Sequence, residues 1–186
     1  MSRVFIFLLV FLASCRDKPV PKPLGQLRLE VKDAESVPFK GVCPFESVLP
    51  SDSKFLLKHQ DERSCWMDIA YPQHRAVIHL TYLKVDGNLR QLLEDAHSLT
   101  YEHHIKADRI ETMNHLRPEA EVYGTTYHVY GPVATNTQFY LTDSVEHFLR
   151  GALYFQSAPN EDSLAPVTAR IRNDIGQLIS QLQWDD

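Results

Sequence analysis

The residues best suited to chemistry in this chain are its nine histidines: His59, His74, His79, His97, His103, His104, His115, His128 and His147. Imidazole is a ready metal ligand and a proton carrier near neutral pH. A metal, however, needs several ligands converging from fixed elements, and these histidines are scattered. No HExxH pair is present. Glu94 and His97 have the i, i+3 spacing of carboxylate-bridged metal bundles, but that chemistry needs a second copy on a facing helix, and the sequence supplies one. His103 and His104 fall at the end of a predicted helix, where cations complement the helix dipole. Ser144, Glu146 and His147 are the residue types of nucleophilic catalysis. They follow Asp143, and Asp-Ser pairs favour turns for reasons of backbone geometry. Asp68, Glu94 and Asp95 are candidate paired carboxylates, yet neighbours on a helix do not face each other. Seven glycines leave no phosphate-cradling loop. The residue types therefore assign no catalytic, metal or cofactor-binding position, and the reading is of a protein that is not an enzyme.

The three cysteines carry a clearer signal. Cys15 follows Arg3, the apolar run Val4 to Leu12 and the small residues Ala13 and Ser14. A positive start, a short apolar run and small residues before a cleavage point define an export signal. The run is too short to span a bilayer, which takes about 20 apolar residues. Leu12-Ala13-Ser14-Cys15 resembles the lipobox of bacterial lipoproteins, so residues 1–14 are expected to be removed and Cys15 to carry the lipid (palmitate among its acyl chains) that holds the protein in a membrane. Residues 15–24, with prolines at 19, 21 and 23, read as a stiff tether, and residues 25–186 as one globular domain. Cys43 and Cys65 then remain as an even pair, which in an exported protein reads as a disulfide worth roughly 3 kcal/mol on the chain-entropy account. Two buried free thiols are the alternative. The net charge of −5 argues against a nucleic-acid partner.

The elements that would position these residues follow from periodicity. Leu27, Leu29 and Val31 alternate with charged residues, as in a half-buried strand. Prolines 44 and 50 break the stretch from Phe39 to Phe55 into short extended pieces. Cys65, Met67, Ile69 and Tyr71 share one strand face, as do Ala76, Ile78, Leu80 and Tyr82, with Pro72-Gln73-His74 as the hairpin turn. Asn88 is a candidate cap for a helix running to about His103 through Leu89, Leu92, Leu93 and Ala96. Strands are expected at Asp108–Leu116, Val122–Tyr130, Thr137–Thr142 and Glu146–Gln156, the last apolar on both faces and so central in a sheet. Ser163 is the expected cap of a final helix, with Pro166 in its first turn and a stripe through Val167, Ile171, Ile175, Leu178 and Leu182. The order predicts an α+β fold, a largely antiparallel sheet flanked by two amphipathic helices. That pattern resembles a Mog1/PsbP-like sandwich. The strand tyrosines and phenylalanines are expected chiefly in the core, with an aromatic ligand groove as the alternative. The polar run Asn136-Thr137-Gln138, beside Gly131-Pro132, is the expected contact loop.

Several stretches carry a resemblance to a known family. Cys43-Pro44-Phe45, Cys65-Trp66, Leu80-Thr81-Tyr82, Leu93-Glu94-Asp95-Ala96-His97 and Phe139-Tyr140-Leu141-Thr142-Asp143-Ser144 are similar to GldD, the gliding-motility lipoprotein of Bacteroidetes. His147-Phe148-Leu149-Arg150-Gly151-Ala152-Leu153-Tyr154-Phe155 is the most specific of them. The segment Gly131 to Thr135 departs from the family pattern. The resemblance implies an envelope accessory or assembly factor for gliding motility and type IX secretion. It would sit at the periplasmic face of the outer membrane, with partners among the other envelope proteins of that machinery. A periplasmic small-ligand binder or chaperone is the alternative.

Overall fold

The computed structural model describes residues 31–101, 107–156 and 161–185. Cys15, the export signal, the tether, Leu27, Leu29, His103 and His104 lie outside the described residues. Among the described residues, ten strands and two helices follow in order. They are β1 (Ser36–Lys40), β2 (Phe45–Pro50), β3 (Lys54–Gln60), β4 (Ser64–Tyr71), β5 (Ala76–Lys84), α1 (Leu89–Tyr101), β6 (Arg109–Arg117), β7 (Val122–Tyr130), β8 (Thr135–Thr142), β9 (His147–Phe155), α2 (Glu161–Gln181) and β10 (Gln183–Trp184). Seven strands form one antiparallel sheet in the order β3-β4-β5-β9-β8-β7-β6. A second sheet has the order β1-β2-β10. The expected α+β architecture is thus the observed one.

The sheet forms because its strands alternate. Met67, Ile69 and Tyr71 of β4 and Ile78 and Leu80 of β5 bury on one face beside Phe139, Leu141, Leu149 and Leu153. Ile171, Ile175, Leu178 and Ile179 of α2 close that core, together with Phe45 of β2. The opposite face is covered at β8 and β9 by α1, where Ala96 packs with Phe148 and Val85, and Tyr140 lies alongside. Strand β9 therefore lies between β5 and β8 with a helix on each side, as its doubly apolar sequence predicts.

Two hairpins share one turn design. A 3-10 turn begins with proline (Pro72–His74, Pro118–Ala120) and ends on a left-handed residue, Arg75 at φ 49° and Glu121 at φ 52°. Three details differ from the sequence-based expectation. Helix α2 starts at Glu161, so Ser163 is inside it rather than its cap, and Pro166 lies past the first turn. A proline there removes one amide from the helix ladder; the burial of Val167 and Ile171 just beyond it offsets that loss. The Asn88 carbonyl accepts from the Leu92 amide, but its side chain turns back to accept from the Asp86 amide instead of capping the first turn. Strand β3 is absent from the periodic signals because Phe55-Leu56-Leu57 does not alternate and the register shifts between Leu57 and His59. That shift and the lysines at 54 and 58 protect this sheet edge from further pairing.

A disulfide joins Cys43, just before β2, to Cys65 of β4, with their Cα atoms 5.8 Å apart. It ties the small sheet to the large one. Among the described residues, no helix is long and apolar enough to cross a membrane.

Candidate functional site

The most charged buried location lies where α2 crosses the turns at one end of the sheets. Arg170 and Asp174 sit one helical turn apart within the apolar stripe, with side chains 4% and 6% exposed. The Arg170 Nη2 donates to Asp52 Oδ1 at 2.6 Å, and Nη1 lies 3.0 Å from His74 Nε2. Its Nε is 3.6 Å from Asp174 Oδ2, a pair without a hydrogen bond. The Tyr71 hydroxyl lies beside the same carboxylate and helps hold its charge. Burial pushes the Asp174 carboxyl up to about 6, against the pull of Arg170. The hydrogen bond from Arg170 holds Asp52 below the usual carboxylate range. Burial also raises the Tyr71 hydroxyl, and Asp174 adds to that. The arrangement joins β4, the Pro72 turn, the β2–β3 turn and α2.

This cluster has a pH consequence whose sign is fixed. The folded value for Asp174 exceeds that of an unfolded aspartate, so the folded state binds the proton more tightly. Its contribution to stability is complete below about pH 4 and is lost as pH rises through about 6. His128, lowered to about 4 by burial and then by Arg172, works in the opposite direction over the same range. The test therefore compares proteins that share every histidine. The stability of the wild type relative to Asp174→Asn is expected to rise by about 1 kcal/mol between pH 7.5 and pH 5 in urea titrations. A flat or falling difference would contradict the assignment.

A cavity of about 230 Å³ lies between β7, β8, the end of β9 and the first half of α2. Val129, Val133, Tyr154, Leu164 and Ala169 give it an apolar wall. Its polar side holds Arg172, Asn136, Thr168 and Tyr130. Arg172 donates to Thr137 Oγ1 at 3.0 Å, to the Asn136 carbonyl at 2.8 Å and to the Tyr130 hydroxyl at 3.4 Å. The Asn136 amide donates to Thr168 Oγ1 at 3.0 Å.

The expected contact loop Asn136-Thr137-Gln138 is instead the interior of β8, with Thr137 0% and Gln138 2% exposed. Its polar groups are buried because partners remote in sequence satisfy them. Arg172 binds Thr137, Arg150 donates to Gln138 Oε1 at 2.8 Å, and Gln138 reaches Thr135. Gly131 does border the cavity, so that part of the expectation is adjacent to a real concavity.

The other candidates are structural. The Asp143 carboxylate accepts from the amides of Val145, Glu146 and His147, and Ser144 is left-handed at φ 74°, so Ser144 to His147 is a turn. His147 Nδ1 meets the Tyr82 hydroxyl at 2.9 Å, and its ring stacks on Trp184. Glu94 pairs with Arg90 and Asp95 accepts from Gln91 along the surface of α1. Asp68 of β4 is held by His79 and Lys58. Tyr140 stacks on Phe148 and lies near Tyr127, so the aromatic residues beneath α1 pack on one another and on the helix. Among the described residues, no group of three histidines, cysteines or carboxylates could hold a metal.

The sequence reading missed Arg170, Asp174 and Arg172. A signal existed: Arg170 and Asp174 are opposite charges at i, i+4 inside a stripe otherwise made of Val167, Ile171, Ile175 and Leu178. Charges at core positions of an amphipathic helix are buried pairs when the helix docks.

Comparison with known proteins decides the family. The model of the gliding motility lipoprotein GldD matches residues 16–184. The chain belongs to the GldD family. The match covers both sheets and both helices, and it opens on the residue after Cys15. Membership in GldD places the chain among envelope lipoproteins linked to gliding motility. No curated protein matches the chain.

Proposed function

We propose that this GldD protein is a non-enzymatic accessory or assembly factor of the gliding machinery and of type IX protein secretion. Acyl chains on Cys15 hold it at the periplasmic face of the outer membrane, and residues 25–186 form the domain that meets other envelope proteins of that machinery. The observation that carries this reading is the family match over nearly the whole chain beyond Cys15. The turn role of Ser144 and the engagement of His147 by Tyr82 support a binding rather than a hydrolytic part. A lipid anchor concentrates a domain at a surface, so weak contacts with membrane partners suffice.

Replacing Cys15 by Ala behind an ordinary cleavable export signal tests the anchor. The variant is expected in the soluble periplasmic fraction, with spreading motility and secretion reduced to the level of a strain lacking the gene. Undiminished motility and secretion from the soluble protein would overturn the proposal. The alternative of a small-ligand binder requires an open aromatic sheet face. That face is packed against α1, and the concavity lies across the sheet under α2.

A further inference from the structure

We infer that the cavity under the first half of α2 binds a small carboxylate carrying a short, straight aliphatic chain. Three observations lead there. The first is size. The cavity of about 230 Å³ is below the ~300 Å³ at which drug-sized sites begin, and holds the equivalent of roughly eight waters. An occupant of about six carbons is of this scale. The second is shape. Leu164, Thr168 and Arg172 line it at successive turns of one helix, a span of ~12 Å along the axis. The residues near Leu164, with Ala165, Tyr154 and Phe155, are largely apolar, whereas Arg172, Thr168 and Asn136 meet at the other end.

The third observation is charge. Arg170 has two carboxylates, Asp52 and Asp174. Arg172, two residues on, has none within salt-bridge reach among the described residues, and its acceptors are a hydroxyl of threonine, a backbone carbonyl and a phenol, all neutral. Glu111 reaches the Tyr130 hydroxyl instead, and pairs with Arg109. A guanidinium has five N–H donors, and these three contacts leave donors over. A positioned cation at the polar end of an apolar slot is matched by an anion on an apolar chain. A carboxylate fits the planar fork of arginine, with the Asn136 amide and Thr168 hydroxyl beside it. The site is independent of the anchor at Cys15, so its test and that of the motility role stand apart.

The shared chemistry, an alkyl chain beside a carboxylate, has two sources: a free acid or the terminal residue of a peptide. Full-length protein in nanodiscs is titrated with hexanoate, hexanamide and N-acetylnorleucine, with saturation transfer to the ligand as the readout and empty nanodiscs as the blank. Hexanoate is expected to bind at least about tenfold more tightly than hexanamide, the effect of one charge-assisted hydrogen bond. N-acetylnorleucine matching hexanoate assigns the site to peptide termini; weaker binding assigns it to free acids. Arg172→Met removes the preference for the acid. Ala165→Leu, at the end of the slot away from Arg172, fills it without touching the polar end and removes binding of every ligand. Equal binding of acid and amide, or hexanoate binding unchanged in Ala165→Leu, overturns the inference, as does the absence of any transfer to hexanoate at millimolar concentration.

Discussion

Arg170→Met is expected to lower the unfolding free energy by about 3 kcal/mol, a value at the lower end for removing one partner of a buried pair. The cost has a definite origin. Asp174 would be left with Tyr71 in a site that is 6% exposed, and Asp52 would lose its hydrogen bond to Nη2. Protonation of Asp174, already held at about 6, limits the damage, so the loss should be smaller at pH 5 than at pH 7.5. Urea unfolding of the two proteins measures it, and thermal midpoints should fall by roughly 6–12 °C. Replacing both members, Arg170→Met with Asp174→Leu, should recover much of the loss, because two buried charges that share no hydrogen bond are replaced by apolar contacts. A single mutant within about 0.5 kcal/mol of the wild type would show that the pair is not buried as described.

Gly124→Ala is expected to cost about 3 kcal/mol, the upper end for overpacking. Gly124 of β7 faces Leu141 of β8, and a Cβ there would stand 2.0 Å from the Tyr140 carbonyl oxygen and 3.0 Å from the Leu141 Cα. Both obstacles are backbone, so no rotamer change relieves them; the strands must separate. Gly176 provides the contrast. A Cβ at that position in α2 meets nothing within 4 Å, and Gly176→Ala should stabilise by about 1 kcal/mol through helix propensity. The pair of variants, compared by urea midpoints, separates steric closeness from a general intolerance of glycine replacement. Equal effects from both would refute the close approach of β7 and β8.

Much of this architecture is legible from residue order. The alternation from Cys65 to Tyr71 and from Ala76 to Tyr82 locates β4, β5 and the faces they bury, because each strand has one core-facing side. The doubly apolar run from Phe148 to Phe155 locates the strand covered by both helices. Legibility fails where local pattern and tertiary partner conflict. Asn136-Thr137-Gln138 looks like a loop because its residues are polar, and it is a buried strand because Arg150 and Arg172 arrive from elsewhere to satisfy it. The cavity is illegible for the same reason: its walls come from β7, β8, β9 and α2, and no short window contains them. Asn88 has the propensity of a helix cap, yet its side chain serves the turn before the helix.

The bond between Cys43 and Cys65 has a mechanical meaning. Tension applied at the amino-terminal side of the domain meets Val31, packed against the core, and then β1, held to β2 by five facing residue pairs at the margin of the small sheet. Peeling can proceed through residue 42, and there it reaches a covalent stop. Beyond that point the load passes through sulfur into β4, whose neighbours on both sides share it. A pull from that side would therefore unravel a short slack of chain and leave the body of the fold intact.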